Sequence, residues 1–407
     1  MNQIDADGRR VHKTQEPEIR DKRDDPLKLH TVIWNSLGRG SVGYTVNSLL
    51  ENMPPARVDK TLWALSRDPD LPRDFHRPAL PALVHRAMCK IRAPHGASAA
   101  IAREVMLPKV QEGDIVWIWP PYDLEVIRRA KDRGAIVVGE RINCMGEMVR
   151  DVLTRAYARR GLPLPREWDM PGAIEREREQ MQQCDYVTAP SSLVAQSVRD
   201  AGVPQERILE NSYGYDPKRL AHGINAVRPL RPPVFAFVGL GIVRKGLDVV
   251  LEAWEKAGAP GKLLVAGTVS NDIQQSYAHI LARRDVQLLG HVQDVATVYA
   301  AADVFLFPTH EEGSPQVTYE AAACGLASIV SPMGATGVIR DRIEGLIVDP
   351  LSVDSVAAAI TQLSRDQALR AALGTNAASR AQEFTWSKVA DRLYRLFCSI
   401  TGREPAM

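Results

Sequence analysis

The 407-residue sequence has few cysteines and no long hydrophobic run. Its five cysteines stand singly, with no C-x-x-C pair and no histidine at metal-ligand spacing, which is typical of a reducing compartment rather than of a disulfide framework. No apolar stretch approaches the roughly 18 residues that a membrane span needs, and the polar N-terminus lacks the apolar core of a signal peptide. We therefore expect a cytoplasmic protein whose residues 1–27 form a flexible lead-in.

The sequence also lacks a strong excess of charge. Its 51 Lys and Arg against 49 Asp and Glu give a net charge of +2, which is weak evidence about partners, and nothing in it predicts a nucleic-acid partner. One local cluster, Arg155, Arg159, Arg160 and Arg166, lies near apolar residues and could favour an anionic acceptor or peripheral association with the inner face of a membrane. A solvated helix face is the simpler interpretation, and we favour it.

Short apolar runs alternate with helical patterns from about Leu29 onward. "LHTVIW", "DIVWIW", "AIVVG" and "DYVTAP" come before a Pro- and Arg-rich stretch at 223–232, and "VFAFVGLG", "KLLVAGTV", "VQLLG", "DVFLFPT", "LASIVSP" and "EGLIVDP" follow it. Strands that alternate with helices predict parallel sheets covered on both faces. We predict two doubly wound α/β domains, 28–222 and 233–384, joined by a linker at 223–232, with a ligand cleft between them.

A glycine-rich turn follows the first strand of the second domain, in "VFAFVGLGIVRKGLDVV". Gly239 and Gly241 match the start of a dinucleotide fingerprint, but the third position is Arg244, and no G-K-[ST] loop is present. The turn nevertheless places Arg244 and Lys245 where they could reach an anion. A tight turn with two solvated basic residues is the alternative.

The stretch "HEEGSPQVTYEAAACG", His310 to Gly325, carries two acids eight positions apart. Ser314 can cap a helix that begins at Pro315, so Glu320 is predicted within the helix and Glu312 on the preceding loop. The helix N-terminus at Ser314 to Gln316, with its free N–H groups, could then face a phosphate, while Glu320 could accept ribose hydroxyls. The alternative is that both acids are ordinary surface groups.

Two further features have weaker implications. "SLGRGSVGY" follows the first strand, so Gly38, Gly40 and Gly43 could permit close approach of a ligand, or could serve a purely structural turn. His291 and His310 have no triad-like partners in the sequence and are predicted to be polar surface. No histidine cluster or Asp-x-Asp motif predicts a metal site.

Taken together, these motifs resemble the GT4 family of retaining nucleotide-sugar glycosyltransferases, which have the GT-B fold of two Rossmann-like domains. "PTHEEGSPQVTYEAAACG" resembles the family's E-x7-E segment, and "FVGLGIVRKGLDVVLEAW" resembles its lysine-containing turn. The resemblance is specific in the second half of the chain and weak before about residue 175. It implies that Glu312 contacts the donor sugar, Glu320 holds the ribose and Lys245 binds the diphosphate. The implied donor site also includes Gly239, Gly241, Arg244, Gly313, Ser314, Gln316 and Val317.

The sequence departs from the family at two places. Leu240 stands where an arginine is common, which leaves Arg244 as the candidate replacement. Glu140 and Arg141 stand where many members carry an acceptor-side histidine, so no general base is identified there, and these two residues join Gly40 and Gly43 as acceptor-side candidates.

The resemblance implies a metal-independent enzyme without a cofactor that moves a sugar from a nucleotide diphosphate donor to a hydroxyl of a glycan or lipid-linked glycan. It also implies that a C-terminal helix at about 385–402 packs back on the first domain. Bacterial surface polysaccharide or glycolipid synthesis would be its setting. A nucleotide-sugar epimerase or phosphorylase of the same fold, and a non-catalytic sugar-nucleotide binding protein, remain as alternatives.

Overall fold

The computed structural model describes residues 25–37, 41–67, 74–79, 95–224, 226, 231–258 and 261–405. Thirteen strands within these residues form two parallel sheets. In chain order they are β1 Leu27–Leu37, β2 Val58–Arg67, β3 His76–Pro78, β4 Ile115–Ile118, β5 Ile136–Glu140, β6 Tyr186–Ala189, β7 Ile208–Glu210, β8 Val234–Val238, β9 Lys262–Ala266, β10 Val286–Gly290, β11 Val304–Phe307, β12 Ala327–Val330 and β13 Gly345–Ile347.

Helices cover both faces of each sheet. The α-helices are α1 Ser41–Asn52, α2 His95–Met106, α3 Leu124–Lys131, α4 Gly146–Arg159, α5 Pro171–Gln183, α6 Ser192–Asp200, α7 Ala221–Ile224, α8 Leu247–Ala257, α9 Asn271–Ser276, α10 Ala278–Leu281, α11 Val295–Ala301, α12 Gln316–Ala323, α13 Pro332–Ala335, α14 Val353–Arg365, α15 Gln367–Ala381 and α16 Trp386–Thr401.

The first seven strands form the front domain, in the order β3-β2-β1-β4-β5-β6-β7, and the last six form the rear domain, in the order β10-β9-β8-β11-β12-β13. Every pairing between described strands is parallel. The central strands β4 and β11 are buried along their whole length, as expected for strands covered by helices on both faces. The predicted fold class, two doubly wound α/β domains, is confirmed.

Apolar runs identified most strands but not three strands of the front sheet, β2, β3 and β7. The two edge strands, β3 and β7, have only three residues each. β2 has the sequence VDKTLWALSR, in which Asp59 and Lys60 interrupt the apolar pattern. Three residues are too few to show an alternating or continuous apolar pattern, so β3 and β7 leave no clear signal in the sequence.

Three predicted boundaries are corrected. Leu27, assigned to the lead-in, is the first residue of β1, and Gly43, assigned to a ligand-binding loop, lies inside α1. The predicted linker overlaps a short helix, α7, whose Gly223 lies against Cys324 of the rear domain. Residues 225 and 227–230 of the linker lie outside the described residues, as do Gly38, Gly40 and residues 1–24.

The last helix, α16, returns from the rear domain to the front one. Its first residue, Trp386, donates from Nε1 to the hydroxyl of Tyr44 on α1 at 3.0 Å, and its Phe397 packs edge-on against Trp117 of β4 with ring centroids 5.5 Å apart. The helix therefore buries an apolar face against the front domain and ties the two domains together.

Ion pairs also join the domains. Arg159 at the end of α4 contacts Asp248 and Glu252 on α8, with Asp248 fully buried, and Arg160 lies 2.9 Å from Asp272. The hypothesis of a solvated arginine face is therefore wrong for Arg159 and Arg160. Helices long and apolar enough to cross a membrane do not occur among the described residues.

Removal of Arg159 should leave Asp248 as a buried charge without its partner. Arg159→Leu is expected to reduce the free energy of unfolding by about 3–5 kcal/mol, the cost of breaking a buried ion pair from one side. Thermal unfolding measures the change, with Arg155→Leu, an exposed position one turn earlier on α4, as the control. Adding Asp248→Asn should recover part of the loss, and equal melting temperatures for the two arginine variants would contradict the analysis.

Candidate functional site

A cavity of about 450 Å³ lies between the domains, where the carboxyl ends of the two sheets face each other. Loops after β5, β8 and β11 and the start of α1 form its walls. The lining residues are Val42, Thr45, Trp119, Ile142, Asn143, Tyr213, Val238, Gly239, Leu240, Arg244, Lys245, Phe307, Glu312, Ser314, Pro315, Gln316 and Val317. Most of the residues predicted for the donor side, together with several front-domain residues that were not predicted, therefore meet at one site.

The turn after β8 brings its backbone close to neighbouring elements. Gly246 has a φ of +76°, and a Cβ at this position would lie 2.3 Å from the carbonyl oxygen of Pro308. A Cβ at Gly241 would lie 2.6 Å from Leu247 Cδ2, so Gly241 serves packing and does not line the cavity. Gly239, with a φ of +148°, does line it. A one-turn 3₁₀ helix between these glycines places two cations at the cavity wall.

Both cations are paired with acids of the loop after β11. Arg244 Nη1 lies 2.9 Å from Glu311 Oε2, and Lys245 Nζ is in direct contact with Glu312 Oε1. Burial and the neighbouring positive charge of Arg244 together lower the pKa of Lys245 to about 7, and Glu311 opposes the shift. The site is therefore a compact group of opposite charges in which the cations face carboxylates.

The two predicted acids occupy different surroundings. Glu312 lines the cavity, with 11% of its side chain exposed. Glu320 lies on α12 outside the lining set and is buried, and its Oε2 accepts a hydrogen bond from the hydroxyl of Tyr299 at 3.0 Å. Burial raises the pKa of Glu320, while Tyr299 and Arg219 counteract the shift. Neither acid is an ordinary surface group.

The start of α12 differs from the predicted one. The helix begins at Gln316, with Pro315 at the N-cap position and no side-chain cap, so the predicted N-cap role of Ser314 is wrong. The Ser314 hydroxyl instead lies 2.9 Å from the hydroxyl of Tyr319 and accepts a hydrogen bond from the backbone N–H of Tyr213. These contacts, of which the one with Tyr213 crosses the domain boundary, satisfy Ser314 and leave the first N–H groups of the helix without a cap from it.

Two other predicted residues contact the front domain directly. Gln316 donates from Nε2 to the hydroxyl of Thr45 on α1 at 2.6 Å. A Cβ added to Gly313 would lie 1.6 Å from the carbonyl oxygen of Ile142, so only glycine fits at this point of closest approach. Val317 lines the cavity one residue into α12. The loop that carries Glu312 is thus seated on the front domain.

Glu140 lies apart from the cavity. It is buried in the front domain, where it accepts hydrogen bonds from Trp117 Nε1 at 3.1 Å, from Thr188 and from the hydroxyl of Tyr213 at 2.8 Å. Burial raises its pKa to about 7, and these three hydrogen bonds oppose the shift. Its connection to the cavity is indirect, through Tyr213, which is one of the lining residues.

Arg141 lines a second cavity of about 380 Å³ on the front domain. Its guanidinium lies 2.5 Å from Glu177 and donates to the carbonyl oxygen of Cys144 at 2.6 Å. Burial by itself lowers the pKa of Arg141, but Tyr122 and Glu177 outweigh that effect and raise the pKa above the usual value. Asn143 and Arg244 line both cavities, so the two spaces adjoin each other. The Gly40 prediction lies outside the described residues.

Sequence reasoning missed Glu311 and misplaced His310. Glu311 is fully buried, and His310 is also buried, not at the surface, with its pKa lowered to about 4 by burial. His291 is exposed, as predicted. The local sequence "HEEG" gives no sign that His310 and Glu311 are buried, because the groups that surround these side chains come from distant parts of the chain. Within the described ranges, no three His, Cys, Asp or Glu side chains are grouped so that they could hold a metal ion.

Known proteins support these findings. Residues 232–366 match the family model "Glycosyl transferases group 1". The chain is 29% identical over 188 residues to a D-inositol 3-phosphate glycosyltransferase of Xylanimonas cellulosilytica, which covers 44% of this chain and 45% of the relative. It is 29% identical over 176 residues to the capsular polysaccharide biosynthesis glycosyltransferase CapM of Staphylococcus aureus, covering 40% and 46%. The chain spans about half the length of these curated relatives.

A solved structure extends the likeness to the front domain. The chain resembles HepE of Anabaena, whose crystal structure contains UDP and glucose, with a TM-score of 0.63 and 14% identity over 92% of this chain and 100% of that one. This likeness shows the fold, which is GT-B. The resemblance inferred from the motifs is confirmed. Residues 232–366 therefore resemble the Glycosyl transferases group 1 family, within a molecule that has the GT-B fold and whose relatives are GT4-type glycosyltransferases.

Proposed function

We propose that the protein is a glycosyltransferase that moves a sugar from a nucleotide diphosphate donor to an acceptor hydroxyl. The observation that carries the proposal is the interdomain cavity in which Lys245, Arg244 and Glu312 meet beside the start of α12. A cleft between domains with a few convergent polar groups is the usual form of a small-molecule site. The names of the relatives and the UDP bound to HepE support the same substrate class.

The donor diphosphate would bind where the two cations and the start of α12 converge. Lys245 and Arg244 supply positive charge, and Gln316 and Val317, at the start of α12 where no side chain caps the helix, line the same cavity. As the bond to the sugar breaks, negative charge accumulates on the departing diphosphate, and groups already oriented toward it lower the barrier. Lys245 must exchange Glu312 for the diphosphate when the donor binds.

Glu312 and Glu320 would hold the other parts of the donor. Glu312, once released by Lys245, is placed to accept hydroxyls of the sugar or to face positive charge that develops at its anomeric carbon. Glu320 would accept ribose hydroxyls, a role that the resemblance assigns. It is supported by Val317, which lies three residues earlier on the same helical face and lines the cavity.

The acceptor would enter from the front-domain side. The 380 Å³ cavity beside Asn143 and Arg244 offers an indole at Trp168 and charged groups at Arg141 and Glu177, a suitable mixture for a polyhydroxylated molecule. Glu140 has no direct path to the donor cavity and is not proposed as a base. Retention of configuration, metal independence and a glycan or lipid-linked glycan as acceptor rest on the resemblance and on the relatives' names.

A thermal-shift panel of UDP-, GDP- and ADP-sugars tests the donor class. A donor at 100 times its Kd stabilises the native state by about 2.7 kcal/mol, so one of the three should raise the melting temperature and the others should not. Glu312→Gln should then lower turnover about 10²-fold, the scale for losing one transition-state contact. Glu255→Gln, an exposed acid on α8, is the control.

Three outcomes distinguish the alternatives. Stabilisation without turnover by the natural sequence would favour a binding protein, and interconversion of the donor sugar would favour an epimerase. If none of the three nucleotide sugars stabilises the protein, the proposed function fails.

The lowered pKa of Lys245 predicts the pH dependence of donor binding. A nucleoside diphosphate favours the protonated amine, so its affinity should be highest below about pH 7 and should fall up to about tenfold per unit as the free lysine loses its proton. Calorimetric titration at pH 6.5, 7.5 and 8.5 with the nucleoside diphosphate found by the panel measures this. Lys245→Arg should flatten the profile, because arginine stays charged throughout. A flat profile for the natural sequence would contradict the role of Lys245.

A further inference from the structure

Glu311, next to Glu312 in the chain, makes contacts that none of the proposed donor roles requires. Its side chain is fully buried at the boundary between the domains. Asn143 Nδ2 of the front domain donates to both of its oxygens, at 2.8 and 2.9 Å, and Arg244 Nη1 of the rear domain donates to Oε2 at 2.9 Å. One carboxylate therefore holds a front-domain amide and a rear-domain cation at the same time.

Three loops are held together by this carboxylate. Asn143 follows β5, Arg244 follows β8 and Glu311 follows β11, so each lies at the carboxyl end of a strand that faces the cleft. Gly313, two residues later, also brings the loop after β11 close to the loop after β5, because the absence of a side chain lets it lie against the carbonyl oxygen of Ile142. Residues 311–313 are therefore held against residues 142 and 143 by hydrogen bonding and by close packing.

The contact sits where the two cavities meet. Asn143 and Arg244 line both the 450 Å³ and the 380 Å³ space, and the Arg244 guanidinium lies 5.7 Å from the ring centroid of Trp168 on the front domain. Arg244 is therefore oriented by front-domain groups on two sides, through Glu311 and against Trp168. Separation of the domains would remove Asn143 and Trp168 from it together.

We propose that Glu311 is a positioning residue that couples closure of the two domains to the placement of Arg244. When Asn143 binds Glu311, the carboxylate is fixed, and Arg244 is held at the wall of the donor cavity. When the domains open, Glu311 loses its amide partner and Arg244 loses its fixed orientation. This step rests on the proposed function. If the cavity binds a diphosphate, both cations are in position to bind it only in the closed molecule, in which water is excluded.

An exchange of the amide and the carboxylate tests the coupling. Asn143→Asp places two carboxylates face to face, which should disfavour closure and raise the KM for the donor about tenfold or more. In the double variant Asn143→Asp/Glu311→Gln, the amide at position 311 can donate to the carboxylate at position 143, and its oxygen can still accept from Arg244. The double variant should therefore recover most of the loss, with a smaller change in kcat than in KM.

Small-angle X-ray scattering of the protein without ligand supplies a readout that needs no donor. Asn143→Asp should increase the radius of gyration, and the double variant should return it toward that of the natural sequence. Asn143→Ala, which removes the donor without adding charge, should shift it in the same direction by less. Asn376→Asp, on the exposed face of α15, is the control for an added charge.

Two results would overturn the proposal. The first is a KM for the donor that is as high in the double variant as in Asn143→Asp. The second is a radius of gyration that is unchanged in both Asn143→Asp and Asn143→Ala. Failure of the proposed function has a different signature, because the natural sequence would then bind no nucleotide sugar while the scattering series would still respond to the exchange.

Discussion

Charge buried between the two domains must be paired, and this requirement governs how the sheets face each other. Desolvation of a carboxylate or a guanidinium costs several kcal/mol unless an opposite charge or hydrogen-bond donors replace the lost water. Asp248 and Glu311 are both fully buried at the boundary, and each is partnered by a residue from the opposite domain, Arg159 and Asn143 respectively. Correct pairing of both acids is possible only in one relative arrangement of the domains.

The same arrangement creates the cavity. The ion pairs at Asp248 lie on the α4 side of the boundary, whereas the contacts of Glu311 lie at the strand ends, so the two groups fix the rear domain at separate points. Helix α16 adds a third connection through Trp386 and Phe397. Between these connections the strand ends stay apart, which leaves room for a ligand of the size of a nucleotide sugar.

Sequence reasoning predicted those parts that depend on local pattern. Apolar runs revealed strands β1, β4, β5, β6 and β8 to β13, and the glycines and cations predicted to form a ligand loop follow β8, where Gly239, Arg244 and Lys245 line the cavity. What it missed depends on contacts between distant residues. The hydroxyl of Ser314 looks like a helix cap in sequence, but Tyr319 and Tyr213 compete for it. Glu311 is buried against the loop after β5 and Arg244, and His310 lies beside Val152 and Leu193, so no local window contains the groups that bury either residue.

Glu311 and Glu312 illustrate how adjacent identical residues acquire different roles in the proposed reaction. Glu311 keeps its amide partner from the front domain and has no exposed surface, so an incoming diphosphate cannot displace it without opening the boundary. Glu312 contacts Lys245 and lies 3.7 Å from Arg244, and it is partly exposed to the cavity. The diphosphate would therefore replace Glu312 on Lys245 and leave Glu311 on Arg244. That exchange keeps the number of paired charges constant and frees one carboxylate beside the sugar, where the reaction needs it.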